Sequence, residues 1–409
     1  MIISNKIKSF ITFIKKTRNI HLIIILLMLA SSILIRLFLI PYKSNDMNSF
    51  LIRWYDYIKR HGGVKAFNMR FSNYSPLYLY VLALITYIPI PKIIAIKLIS
   101  IVFDFVAALA VFFIVKLKYR NSIIPVYAFM TVLVAPTVFV NSSLWGQCDI
   151  IFTSFLLLTI YSLMTDKNEL AFLCYGIAFS FKLQALFLFP IFFILLIKKK
   201  VKILYFFIIP IIYVISIIPC YLAGRPFDDL MLIYLKQADS YNKLTLNAPN
   251  IYQMISNNYF DLFYVPGIIF TFIITGILFY FFYRNKIEID NEVIINLSML
   301  SVLILPYFLP KMHERYFFAA DVISIVFVYY SPRFIFLPIV LWLSSLTGYI
   351  PELIRNELNK EEYQRVLKHI LFVLKIESLG LLAIIIKLSV DFIKNPRCKV
   401  TRNQDVLVK

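Results

Sequence analysis

The chain has 409 residues and a formal charge of +20; it is 61% hydrophobic and 17% aromatic, and only 16% of its residues are charged. Whole windows are apolar on every face, which excludes an ordinary soluble domain and points to an all-α, polytopic bundle of transmembrane helices. The four cysteines (Cys148, Cys174, Cys220, Cys398) show no CxxC or zinc spacing, and there is no GxGxxG, Walker A loop or DxD, so neither a disulfide framework, a structural metal nor a soluble nucleotide-binding domain is indicated. The positive charge falls in short patches beside apolar spans, so it reads as membrane topology and not as a nucleic-acid surface.

Lys6, Lys8, Lys15, Lys16 and Arg18 precede the first apolar span, Leu22 to Ile40, and no acid stands among them. The span is long for a signal peptide and no small-x-small site follows, so it reads as a retained first helix, with Arg36 close enough to its far end to snorkel. The positive-inside rule then puts the N-terminus in the cytoplasm and the chain after Ile40 outside. Lys116–Arg120, Lys198–Lys202, Arg284–Lys286, Arg333 and the tail from Lys394 are the other basic, cytoplasmic-looking segments.

The first outer loop, 41–75, holds "SNDMNSFLIRWYDYIKRHGG". Met47, Phe50, Leu51, Trp54, Tyr55 and Ile58 fall at helical spacing, which predicts an amphipathic interfacial helix ended by Gly62 and Gly63. Asp46 at its start reads either as an N-cap or as a catalytic base, and a cap would also fix the direction of its carboxylate. Asp56 is the competing acid of this loop and falls on the water-facing side. "NYSPLYLY" follows, with Tyr74 extended before a helix that starts at Pro76. Asp104 is an intramembrane carboxylate, either functional or a helix–helix pairing group. In "NSSLWGQCDII", Trp145 reads as a belt residue or a site residue, Gln147 abuts the next span, and Asp149 reads as that span's N-cap or as a functional acid.

"AFLCYGIAFSFKLQALFLFPIFFILLI" carries one charge, Lys182, near its middle. A lone ammonium at membrane depth costs about 2.5–3.5 kcal/mol on insertion scales. One straight span here would put Lys198–Lys202 opposite the turn Thr165–Glu169, against the loop charges. Two short helices that fold back near Lys182 remove the conflict, and broken helices of this kind line cavities. Both termini are then cytoplasmic, and about 12 spans are expected, with roughly 10–14 allowed. The remaining polar segments all fall outside: Pro41–Asn73, Asn141–Asp149, the Lys182 bend, Gly224–Asp261, Pro310–Arg315 and Pro351–His369. "NAPNIYQMI" lies in a loop large enough to shape a substrate site. "LPKMHERYFFAAD" packs Lys311, His313, Glu314 and Arg315 between apolar runs, either as a snorkelling hairpin or as an anion site in which the cations take phosphate oxygens. Phe317 replaces the second histidine of HExxH, so this is no zinc-protease motif, and Asp321 is a further intramembrane acid.

Together and in this order these segments resemble the GT-C class of integral-membrane glycosyltransferases, in particular bacterial relatives of the GPI mannosyltransferases and the glucosyltransferases that elongate the dolichol-linked oligosaccharide. "FKLQALFLFP" is similar to their Lys-Gln segment, with Leu183 inserted between Lys182 and Gln184. "MHERYFFAAD" is similar to their His-Glu-basic segment, "YSPLYLY" to their Tyr-Pro-Pro-Leu entry with Ser75 in place of one proline, and "LWGQCDI" to the tryptophan-glycine-glutamine motif. The likeness spans roughly residues 20–330 of a single membrane domain, 1–409; residues 331–409, the last spans and the cytoplasmic tail, add little to it.

The resemblance implies an inverting transfer of a hexose from a polyprenyl-phosphate donor to a lipid-linked glycan or cell-envelope acceptor, on the outer face of the plasma membrane. It implies Asp46 as the base. Lys182, Gln184, His313, Glu314, Arg315, Trp145, Gln147, Asp149 and Tyr74 are then expected to bind the donor phosphate and sugar. No metal cofactor is expected to be required, although Asp46, Asp149 and Asp321 could bind a divalent cation. The competing expectations are a transporter or flippase of lipid-linked oligosaccharide, whose charges belong near the membrane midplane, and a glycan polymerase with two lipid-linked substrates. The partners expected are the donor, the acceptor and the bilayer, with no nucleic acid.

Overall fold

The structure, a computed structural model, describes the backbone of residues 2–285 and 287–394 and the side chains of 19–285 and 287–394. The basic side chains before residue 19, Lys286, and the tail beyond Lys394 with Cys398 lie outside the described residues.

The chain is an all-α, multi-pass membrane protein. Among the described residues, seven helices are long and apolar enough to cross a bilayer, including Asn19–Leu39, Lys92–Lys118, Pro332–Ile354 and Lys360–Lys394. A further pair, Ile124–Val134 and Pro136–Trp145, is bent by 45°. The bend has a local cause: Pro136 lacks an N–H and pushes Ala135 into an extended conformation.

The run from Ala171 to Ile197 folds back on itself, as its flanking charges predict. Helix Asn168–Phe181 stops where Lys182 turns extended, and a 3-10 segment, Leu183–Leu188, leads into helix Pro190–Ile197. Phe172 packs on Phe192 at 4.4 Å and Tyr175 stacks with Phe189 at 5.8 Å. Asn168 donates to the Lys200 carbonyl at 3.1 Å, so the turn before the hairpin and the basic segment after it share one end of the molecule.

The other basic loops gather at that same end. Lys118 donates to the carbonyls of Tyr329 and Tyr330, Arg333 meets Asp391 at 4.0 Å, Lys198 donates to the Asn285 carbonyl, and Phe282 packs on Phe392 at 5.5 Å. The polar segments 41–73, 141–149, 224–261, 310–315 and 351–369 collect at the opposite end, around Asp46.

Two sequence expectations are corrected inside the bundle. Arg36 does not snorkel: it is buried and bonds Asp104 through Nε at 3.1 Å and Nη2 at 2.8 Å, while Ser142 donates to the same carboxylate oxygen at 2.7 Å. Asp104 is therefore a pairing group that ties the first helix to Lys92–Lys118 and to the 140–145 turn. The apolar stripe of 47–58 is not laid out on a lipid interface either. Met47, Leu51, Trp54, Tyr55 and Ile58 are buried against protein, and Phe50 alone of that stripe stays exposed.

Candidate active site around Asp46

The loop that leaves the first helix is fixed before it reaches Asp46. Lys97 is buried and its ammonium donates to the carbonyls of Leu39, Ile40 and Tyr42, at 3.2, 2.9 and 2.7 Å. The helix ends at Leu39, so this one side chain ties down the segment that leaves it, and its three bonds offset its own burial. Ser44 then caps the next helix by accepting from the Met47 N–H at 3.1 Å, and donates to the Trp145 carbonyl at 2.9 Å.

Asp46 is not the cap. Its backbone is already helical and its side chain makes no cap bond. It stands in the first turn of a helix that opens as a π turn, Met47–Leu51. The facing segment, Val140–Trp145, is a second π turn, ended by Gly146 in the left-handed region at φ +79°. The positive φ is what favours glycine at this position; a Cβ there would clash only with the mobile end of the Met47 side chain, at 2.3 Å. π turns widen the spacing between successive side chains and recur at functional sites.

One oxygen of Asp46 gathers three donors. Trp145 Nε1 donates to Oδ2 at 3.1 Å, Gln147 Nε2 at 2.6 Å, and Arg315 Nη1 approaches it at 3.4 Å. Tyr74 in turn donates to Gln147 Oε1 at 3.3 Å, and Ser100 holds the Gln147 carbonyl at 2.6 Å. Trp145 is fully buried, not a belt residue, and the Arg315 guanidinium lies 5.4 Å from its ring centre. Asp56 points elsewhere, into a 2.8 Å pair with Lys92.

A second carboxylate lies behind the first. Asp149 is the first residue of its helix but not its cap: it accepts from Asn141 Nδ2 at 2.9 Å and from Lys182. The lysine that breaks the apolar run is thus paired, and its ammonium also sits 5.8 Å from the Tyr74 ring. Glu314, buried, lies 3.6 Å from His313 Nδ1 and 3.8 Å from Arg315 Nε. Burial pushes its carboxyl up, but His313 and the Arg315 charge outweigh that and hold it below the ordinary glutamate range.

Above this floor is a cavity of about 1070 Å³ whose lining includes Asp46, Tyr74, Gln147, Lys182, Gln184, His313, Glu314 and Arg315. Its roof comes from the 224–261 loop. Thr245–Leu246 pairs in parallel with Met312–His313, which clamps that loop to the His-Glu-Arg segment. Asn247 and Lys311 both take positive φ at this junction. "NAPNIYQMI" therefore does shape the cavity, through Asn247, Tyr252, Gln253, Met254 and Ile255.

The structure also adds residues that the sequence reading passed over. The segment after Ser331 contributes Glu352, Arg355, Tyr363 and Lys375 to the cavity wall, and Asn45 donates to Glu352 Oε1 at 3.0 Å. For the first three the only signal in the sequence is the polarity of 351–369 between two apolar runs; Lys375 lies inside the second of those runs. Asp321 stays apart: it is buried and accepts from Ser345 Oγ at 3.0 Å. Among the described residues no three His, Cys, Asp or Glu come together as candidate metal ligands.

No family model matches the chain, and no curated protein matches it either.

Proposed function

We propose that the protein is an inverting glycosyltransferase of the GT-C type, which moves a hexose from a polyprenyl-phosphate donor to a hydroxyl of a glycan acceptor at the Asp46 end of the bundle. The observation that carries this reading is the Asp46 carboxylate: it lines a large polar cavity with one oxygen fixed by Trp145, Gln147 and Arg315. A general base needs a fixed direction and access to its substrate, and this group has both.

In the reaction, the acceptor oxygen attacks the anomeric carbon and the bond from that carbon to the phosphate oxygen breaks. The hydroxyl proton passes to Asp46, and the polyprenyl phosphate leaves with the electron pair as a monoester. Attack from the face opposite the phosphate inverts the centre. Arg315 links the two halves of the step. While Asp46 is charged, it shares the guanidinium; once protonated, it releases that charge to the phosphate, where negative charge is growing. Lys182 is balanced by Asp149, so its role is to brace the broken helix and hold Asp149, with a weaker field at the phosphate.

The membrane arrangement follows the same reading. The long helices, the bent pair and the shorter helices Asp149–Met164, Asn168–Phe181, Leu183–Ile197 and Phe318–Tyr330 would make about twelve crossings, the last four shorter than the usual span. The basic end would face the cytoplasm and the Asp46 end the outside of the plasma membrane. A transporter would hold its charged groups near the midplane; here Asp46, Gln147 and His313–Arg315 stand in the segments between helices at one end. The test is transfer of labelled sugar from defined polyprenyl-phosphate donors to membrane lipid extracts by the purified protein. Use of nucleotide sugars alone would sink the assignment.

A further inference from the structure

A cationic cluster stands apart from the cavity, where the roof loop meets the first outer loop. Arg225 Nε donates to Asp229 Oδ2 at 2.7 Å, Lys236 Nζ donates to Oδ1 at 2.7 Å, and Arg70 Nη1 lies 3.6 Å from that same Oδ1. None of these four residues lines the cavity over Asp46. The adjacent acid, Asp228, is exposed and joins no ion pair among the described residues. Three cations therefore share one carboxylate. Arg225 is only 2% exposed, and its Nη2 has no hydrogen-bond partner among the described residues. A buried guanidinium with an unbonded nitrogen keeps part of its charge uncompensated.

The cluster sits where an apolar helix ends. Ile203–Leu222 is long and apolar enough to cross a bilayer, and it leaves Ile211, Val214, Ile215 and Ile218 exposed. Arg225 follows its last residue by three positions. The short helices Phe227–Met231 and Ile233–Ala238 come next, and Phe227, Met231, Leu232 and Leu235 stay exposed beside the charges. Exposed apolar side chains interleaved with cations are the pattern of a segment lying at the membrane surface. The side chains of Arg70 and Lys236 are 45% and 39% exposed, so their N–H groups are open to a ligand next to Asp229.

We infer that Arg70, Lys236 and Arg225 form a binding site for the phosphate of an anionic phospholipid in the leaflet at the Asp46 end. Arg70 and Lys236 donate to the phosphate oxygens, and Arg225 adds a fixed positive charge from beneath. The acyl chains lie along the exposed apolar face of Ile203–Leu222. The site joins two loops: Arg70 belongs to the one that carries Asp46, and Arg225 and Lys236 belong to the one that roofs the cavity. Gln237 already links them by donating to the Asn73 carbonyl. A phosphate shared by Arg70 and Lys236 is a second link, so a bound anionic lipid holds the roof loop in place. No step of this inference uses the sugar-transfer reading.

The test is native mass spectrometry of the full chain in neutral detergent, with bound lipids counted during titration with phosphatidylglycerol or phosphatidylcholine. Phosphatidylglycerol should bind first and more tightly. Arg70→Gln and Lys236→Gln should each weaken that first binding about fivefold, the scale of one cation at a membrane surface, and the double variant more than about tenfold. Arg225 is left in place because its burial makes it part of the fold. Lys199→Gln with Lys200→Gln removes two exposed charges from the basic end and should bind as wild type does. Four results would overturn the proposal: equal affinity for the two lipids, unchanged binding in the Arg70 and Lys236 double variant, an equal loss in the basic-end variant, or full competition by glycerol phosphate in solution, which would make this a soluble-anion site.

Discussion

Gln147 Nε2 donates to Asp46 Oδ2 at 2.6 Å across 101 positions of sequence, and the two residues are brought together by a pair of facing π turns. Gln147 is itself held by Tyr74 and Ser100, so the carboxylate is oriented by a chain of side chains that need not touch a substrate. Gln147→Ala and Trp145→Phe should each lower the transfer rate about tenfold, with the larger effect for Gln147, on the scale of one lost bond to a charged group. The check is initial rate against pH: loss of orientation should also shift the acid limb of the profile, which a general loss of folded protein would not do.

Lys182 and Asp149 form a buried pair, with side chains 11% and 1% exposed. Removing one partner strands the other, at about 3–5 kcal/mol, whereas removing both is far milder. Lys182→Met should therefore lower thermal stability in detergent more than the double variant Lys182→Met with Asp149→Leu. If the single and double variants melt alike, the pairing contributes no stability.

The hairpin at 183 is open to a topology test. In a cysteine-free background, single cysteines at Lys167 and Lys199 should react with an impermeant thiol reagent from the same side of the membrane, and one at Lys43 from the other. Opposite labelling of the first two would restore a single straight span.

Glu314 sets a pH dependence of stability. Its folded pKa lies below the ordinary 4.5, so its contribution is full above 4.5 and fades as pH falls through the depressed folded value. Wild type should lose melting temperature through the range just below pH 4.5 more steeply than Glu314→Gln. Parallel curves for the two proteins would show that the carboxylate gains nothing from His313 and Arg315.

Much of this site was legible in the sequence because membrane loops announce themselves by charge and because polar residues beside apolar runs are few. The fold-back at Lys182 followed from where Lys198–Lys202 had to lie. The errors have physical causes. Ser44 and Asp46 are both capping residue types in "SNDM", and a π turn starting at Met47 is invisible to 3.6-residue spacing, so the cap fell on the wrong residue. Arg36 and Asp104 are 68 positions apart, and no local pattern joins them. Glu352, Arg355 and Lys375 look like ordinary interfacial charges; only the packing of the last two long helices brings them to the cavity wall.

The most direct measurement is sugar transfer by Asp46→Asn beside wild type, from a labelled polyprenyl-phosphate hexose, with both proteins shown to melt alike. Asparagine keeps the shape and can still meet Gln147, but it cannot take a proton. Loss of a general base predicts a fall of about 10²–10⁴ in rate with donor binding retained. A variant that transfers sugar at the wild-type rate would contradict Asp46 as the base.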